Sequence, residues 1–176
     1  MVGRSNVGKS TLINALVKQK IARTSAAPGK TRLANYYLIE PDSPRQKPLY
    51  LVDLPGYGYA RGGAESVEEF EALTQQYFDA SQQTRRHLAG VLQLIDARHP
   101  DLPQDAAAFD WLLRTQLSIA IVATKVDKLN RSDKARTLKT LEKRHGALVL
   151  PESALEGTGL EAIWNVIRGW AEPGFR

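Results

Sequence analysis

The sequence predicts an α/β fold: a three-layer sandwich in which a mostly parallel sheet with one antiparallel edge strand is covered by helices on both faces. Three observations predict it. Near-continuous apolar runs at residues 89–95 and 118–123 alternate with helical segments, as strands buried on both faces of a sheet do. Two extended segments, 32–40 and 49–52, are separated by the turn Pro41-Asp42-Ser43-Pro44-Arg45, so they should pair antiparallel. The opening octapeptide Gly3-Arg4-Ser5-Asn6-Val7-Gly8-Lys9-Ser10 spells G-x-x-x-x-G-K-[ST], a loop that normally hangs between a buried strand and a helix.

The elements follow in order. Only Met1 and Val2 precede Gly3, so the strand expected ahead of the loop is missing or truncated. Residues 11–17 read as a helix, and 21–31, aperiodic and carrying Pro28-Gly29, as a mobile loop. The strand at 49–52 ends at Asp53, and the loop 54–63 holds Gly56, Gly58, Gly62 and Gly63, a composition that stays flexible until a ligand orders it. A helix is expected over 66–83, with Glu68 and Glu69 where its dipole favours anions. The apolar strand 89–95 is capped by Asp96 and followed by a helix near 104–115. Strand 118–123, a basic helix near 132–145, a short strand 148–150 and an amphipathic helix 160–167 complete the chain.

The length, 176 residues, suits one domain, 1–176, with a core that needs no metal or disulfide. There is no Cys, which excludes disulfide staples, thiolate metal sites and cysteine nucleophiles. No apolar run approaches the roughly 20 residues of a membrane span and no signal peptide opens the chain, so a monomeric cytoplasmic protein is the default expectation. Lys and Arg number 24 against 19 Asp and Glu, a net charge of +5. A polyanionic partner and a merely solvated basic face both fit that balance. The cations cluster at Lys18, Lys20, Arg23, Lys30 and Arg32, and again at Lys128, Arg131, Lys134, Arg136, Lys139, Lys143 and Arg144.

The chemistry sits at strand ends. A phosphate-binding loop meets phosphate oxygens with backbone N–H groups at a helix N-terminus. Lys9 would lie between the β- and γ-phosphates and the Ser10 hydroxyl on Mg²⁺. The bland alternative is a Gly-rich turn entering an ordinary helix. In Asp53-Leu54-Pro55-Gly56 the carboxylate can hold Mg²⁺, usually through water, and the Gly56 N–H can touch a γ-phosphate. In Thr124-Lys125-Val126-Asp127 one carboxylate can accept both N1–H and N2–H₂ of guanine, a donor pair that adenine lacks. The Lys125 stem can lie on the purine. Ser153-Ala154, after the last strand, would offer a backbone N–H to the guanine O6.

Four short signals in one order, each at a predicted strand end, support one another. The chain resembles a Ras-like P-loop GTPase of the TrmE-Era-EngA-EngB-Septin-like class, and within it the EngB (YihA/YsxC) family of bacterial ribosome-assembly GTPases. The residues that carry the resemblance are Gly3 to Ser10, Ala22-Arg23-Thr24-Ser25 through Pro28-Gly29-Lys30-Thr31, Asp53-Leu54-Pro55-Gly56-Tyr57-Gly58-Tyr59-Ala60, Asp96-Ala97-Arg98-His99-Pro100 and Thr124-Lys125-Val126-Asp127-Lys128-Leu129. The resemblance implies GTP and GDP as ligands, with Gly29, Lys30, Thr31, Arg32 and Leu33 in the first switch and Glu152, Ser153 and Ala154 at the base. Thr31 would join Ser10 and Asp53 on Mg²⁺ and help place the attacking water. Asn6 would ligate K⁺ beside the phosphates or, equally, close a hydrogen bond within the loop. Tyr57 stands where Ras-like enzymes carry a water-orienting Gln, so slow intrinsic hydrolysis is expected. The implied partner is the precursor of the large ribosomal subunit with its rRNA, and the implied role extends to growth and cell division.

Other readings stay open on sequence alone: a related GTPase of tRNA modification or membrane association, an ATP-dependent P-loop enzyme, or an interaction module without nucleotide.

Overall fold

The structure is a computed structural model and describes residues 1–23, 34–40, 48–57, 72, 74–78 and 88–171. Its elements are β1 (Val2–Gly3), α1 (Lys9–Val17), β2 (Asn35–Ile39), β3 (Leu49–Asp53), β4 (Val91–Asp96), α2 (Pro103–Leu113), β5 (Ile119–Thr124), a 3-10 turn (Val126–Lys128), α3 (Arg131–His145), β6 (Leu148–Pro151) and α4 (Leu160–Ala171). Residues 74–78 are helical too, inside the expected 66–83 segment. The first switch with Gly29, Lys30, Thr31, Arg32 and Leu33, the turn 41–45, the glycines after Tyr57, and residues 66–71, 73 and 79–83 lie outside the described residues.

Strands β1, β4, β5 and β6 make a parallel sheet in that order, and β2 pairs antiparallel with β3. The first strand is indeed short, with Val2 opposite Gln93 and Gly3 opposite Leu94. Met1 extends it. Its nitrogen donates to the Val52 carbonyl at 2.5 Å and its carbonyl accepts from the Leu54 N–H at 3.1 Å, the slanted bonding of a parallel pair flanking Asp53. The antiparallel pair is thereby tied to the parallel sheet, and Asp53 comes alongside the phosphate loop.

Alternation along the strands builds two core faces. Leu92, Leu94, Ala120 and Val122 pack with Leu12 and Leu16 of α1 and Ile163 and Ile167 of α4. Ile95, Ile121 and Ala123 point the other way, onto Phe109 of α2 and Leu141 of α3. Each fully buried Leu, Ile or Val among them stabilises the fold by roughly 1.5–3 kcal/mol, the alanines by less. The Trp164 indole N–H donates to the Leu16 carbonyl at 3.0 Å, satisfying one of the acceptors that the end of α1 leaves open.

Helix ends follow local chemistry. Pro103 opens α2 where its missing N–H costs nothing. Asn130 caps α3 by accepting from the Asp133 N–H at 2.9 Å, and Gly146, left-handed at φ 59°, closes it with Lys143, Arg144 and His145 in the last turn. That cap starts α3 one residue before the sequence-based boundary, and α4 runs past 167 to Ala171.

Candidate functional site

The phosphate loop crosses from β1 to α1 over the C-terminal end of the sheet. Gly8, at φ 119°, is the N-cap of α1 and leaves the first amides of the helix without a side-chain cap, open to an anion. Asn6 is left-handed at φ 62°, which turns the loop back on itself. Lys9 is buried and its ammonium donates to the loop's own carbonyls, Gly3 at 3.0 Å and Arg4 at 3.4 Å. Burial lowers its pKa against the pull of Asp53. An ammonium held this way sits inside the curl of the loop, in reach of any phosphate bound there.

Asp53, at the end of β3, faces the start of α1. The Ser10 hydroxyl lies 3.5 Å from its Oδ2, while Oδ1 is buried with no hydrogen-bond partner. Burial raises the pKa of this carboxyl, opposed by Lys9. An orphaned buried carboxylate oxygen beside a hydroxyl is a donor set for a hard cation, and it suits Mg²⁺ completed by phosphate and water oxygens. Among the described residues no cluster of three or more His, Cys, Asp or Glu is gathered for a metal, and a phosphate-borne Mg²⁺ does not need one. Gly56 lies against the loop so closely that a Cβ there would stand 2.8 Å from the Ser5 nitrogen and 3.0 Å from the Lys9 Nζ.

The second half of the site is the end of β5. The Thr124 hydroxyl donates to the Val7 carbonyl at 2.8 Å, and Lys125, left-handed at φ 61°, donates from its ammonium to the Asn6 carbonyl at 2.8 Å. The loop 3–10 and the turn 124–127 are thus joined by two hydrogen bonds. Lys125 also pairs with Asp96 Oδ2 at 2.9 Å, and Arg98 grips both Asp96 oxygens, at 2.9 and 2.7 Å. Against the upward push of burial, these cations hold the Asp96 carboxyl well below the usual carboxylate range. Asp127 accepts from the Ser153 hydroxyl at 2.8 Å and pairs with Lys128 at 2.9 Å, and both lower its pKa. It is ionised at neutral pH and aimed by a neighbour, as recognition of two adjacent N–H donors requires.

The residues singled out from sequence meet at one end of the sheet wherever they are described. Lys9, Ser10, Asp53 and Gly56 lie together at the loop 3–10, and Thr124, Lys125, Asp127 and Ser153 lie together at the end of β5, joined to that loop through Val7 and Asn6. Val7, Leu54 and Val126 turn their side chains into three different core clusters and anchor their loops, leaving only main-chain groups for a ligand. Glu152 differs from the expectation of a group at the ligand. It is 2% exposed, and its main chain stitches the loops together, with its N–H to the Ala123 carbonyl at 2.9 Å and its carbonyl to the Val126 N–H at 3.1 Å. Burial raises its carboxyl to about 7, opposed by the Ala154 and Lys125 amides.

Known proteins resemble this chain in sequence and in fold. A family model described as a 50S ribosome-binding GTPase matches residues 1–125. The chain is 40% identical over 172 residues to the probable GTP-binding protein EngB of Limosilactobacillus reuteri (strain DSM 20016), covering 95% of this chain and 83% of that protein. The EngB of Aquifex aeolicus (strain VF5) is 41% identical over 168 residues, covering 94% of this chain and 86% of its own length. The chain belongs to the EngB family of P-loop GTPases. Among solved structures, Era in complex with MgGDPNP and nucleotides 1506–1542 of 16S ribosomal RNA superposes with a TM-score of 0.77 at 25% identity, over 98% of this chain and 56% of that one. A probable GTP-binding protein engB shares the fold, with a TM-score of 0.65 at 21% identity, over 97% and 96% of the two chains.

This EngB-family chain is therefore a GTP-binding GTPase. Sequence reasoning missed how its glycine-following tyrosine is used. Tyr57 is 2% exposed and its phenol donates to Asp105 Oδ1 at 2.8 Å, directed inward rather than toward a nucleotide. It also missed Gln93, a polar side chain in the middle of β4 that donates to the Tyr57 hydroxyl at 3.1 Å and the Asp105 carbonyl at 2.7 Å. A lone Gln in an apolar run was the available signal, since a buried amide must be hydrogen-bonded.

Proposed function

We propose that this GTPase is a Mg²⁺-dependent switch acting in assembly of the large ribosomal subunit, as a single monomeric G domain in the cytoplasm. The observation that carries the nucleotide part is the Lys125–Asn6 hydrogen bond at 2.8 Å, which supports a single guanosine nucleotide spanning the turn 124–127 and the loop 3–10. Lys9 would hold the β- and γ-phosphates, Gly3 to Ser10 would present their amides, and Asp127 would accept the guanine N–H pair with Ala154 at O6. Ser10 and Asp53, with Thr31, would hold Mg²⁺, which would neutralise charge on the phosphates. Bound γ-phosphate would order the loops around Thr31 and Gly56, and hydrolysis would release them. The inward Tyr57 phenol supports slow intrinsic turnover, because no side chain at that position is left to orient water.

The ribosomal part draws on the matching family's description as 50S ribosome-binding and on the Era relative seated on 16S RNA. The basic face of α3 suits an RNA backbone. Arg131, Lys134 and Lys139 lie along it, and charge reversal at these three should weaken ribosomal-subunit association and flatten its salt dependence. Among the described residues no helix is long and apolar enough to cross a membrane. GTP turnover measured with and without ribosomal subunits, in K⁺ and in Na⁺, tests the whole reading. Stimulation by 50S precursors supports it, a rate indifferent to subunits removes the ribosomal part, and a rate indifferent to the cation removes K⁺ from Asn6.

A further inference from the structure

We propose that Tyr57, Asp105 and Arg4 form a latch between the Asp53–Gly56 turn and the phosphate loop, making Tyr57 and Asp105 positioning residues for recognition of the γ-phosphate. The inference rests on the nucleotide-switch reading above. Its starting point is a chain of contacts that no phosphate or base touches. The Tyr57 hydroxyl donates to Asp105 Oδ1 at 2.8 Å and accepts from Gln93 at 3.1 Å, so both of its hydrogen-bonding roles have a fixed direction. Gln93 in turn is bound to the Asp105 carbonyl at 2.7 Å, which pins the first turn of α2 to the centre of the sheet. The other Asp105 oxygen, Oδ2, faces Arg4 Nε across 3.6 Å. Both of those atoms are buried and have no hydrogen-bond partner.

Main-chain contacts complete the circuit. The Ser5 N–H donates to the Tyr57 carbonyl at 3.1 Å, and Arg4 and Tyr57 form a parallel bridge. Gly56, the residue whose amide would meet a γ-phosphate, is thus held between the phosphate loop and a side chain anchored on α2. The circuit is closed everywhere except at Arg4–Asp105, where it falls short of the roughly 2.7–2.9 Å of a charge-assisted hydrogen bond. Two oppositely charged groups paired across 3.6 Å, but short of a hydrogen bond, gain from any shift that brings them closer. A γ-phosphate bonding the Gly56 amide, which already lies against the loop, and tightening the neighbouring Arg4–Tyr57 bridge is such a shift. The latch then closes with triphosphate bound and stays open with diphosphate.

The test compares affinities for labelled GDP and for a non-hydrolysable GTP analogue in the full chain and in Tyr57→Phe. The phenylalanine keeps the packing of the ring and removes the hydroxyl. The expected result is a fall of roughly tenfold in the preference for the GTP analogue over GDP, with GDP affinity close to unchanged. A Tyr57→Phe chain with a lowered thermal midpoint and an unaltered preference would show a purely structural tyrosine and overturn the latch. Should Tyr57→Phe not fold, Asp105→Asn is read by the same ratio, with the same two outcomes. Failure of the unaltered chain to bind GDP would instead overturn the nucleotide-switch reading, and the latch with it.

Discussion

Lys125 and Asn6 stand 119 positions apart in the chain and are joined by a 2.8 Å hydrogen bond from ammonium to carbonyl. The same ammonium is paired with Asp96, so it is held in place before any purine arrives. A pre-positioned side chain loses little conformational freedom on binding. Lys125→Ala should weaken GDP binding by roughly 10- to 100-fold, through loss of the stem beneath the base and of the tie to the loop. Titration with fluorescent GDP measures it.

In the proposed reading Asp127 makes the base choice, and the Ser153 hydroxyl, donating to it at 2.8 Å, aims it. Asp127→Asn should turn preference toward xanthosine nucleotides, because an amide can donate where the carboxylate only accepted. Ser153→Ala removes the 2.8 Å bond and should lower guanine affinity by roughly fivefold, the worth of one ordinary hydrogen bond, without changing base preference. Competition of GTP, ATP and XTP for the labelled nucleotide separates the two effects.

Gly56 admits no side chain. In Gly56→Ala the new methyl would stand 2.8 Å from the Ser5 backbone nitrogen, which cannot rotate away as a side-chain tip could. The strain should cost about 1–3 kcal/mol of stability and push the switch off the loop. GTP hydrolysis is expected to fall at least tenfold while GDP is still bound, as read by single-turnover kinetics beside a melting curve.

Glu152 gives the stability an unusual pH dependence. Its carboxyl titrates at about 7 in the folded chain against 4.5 when unfolded, because burial disfavours the charged form. Between those values the folded state binds more protons than the unfolded one, so this group's contribution to stability is full below 4.5 and is lost as pH rises through about 7. Glu152→Gln should therefore stabilise the chain above pH 7, by on the order of 2 kcal/mol, and have little effect at pH 4.5. Urea unfolding of both chains across that range checks it. A wild-type curve that does not sag relative to the variant would contradict the assignment.

The alternation of apolar strands with helices was legible because periodicity is a local property, repeating within ten or so residues. The phosphate loop and the Asp53 and Thr124–Asp127 turns were legible because the chemistry of phosphate and guanine demands particular residue types at particular spacings, each where a strand ends. The boundary of α3 was less so. Asn130 caps it through a hydrogen bond to the Asp133 N–H, and a cap one residue earlier or later reads much the same in sequence.

The sequence by itself thus determined the fold class and the family. Only the tertiary structure decided how Tyr57, Gln93, Asp105 and Arg4 meet, that Glu152 is buried under the base-recognition turns, and that Met1 bonds across to Val52 and Leu54 to unite the two sheets. The physical reason is range. Periodicity and motif spacing are set by neighbours along the chain, whereas a buried polar group is satisfied by whichever distant partner the packing brings within 3 Å, and nothing in the local sequence names that partner.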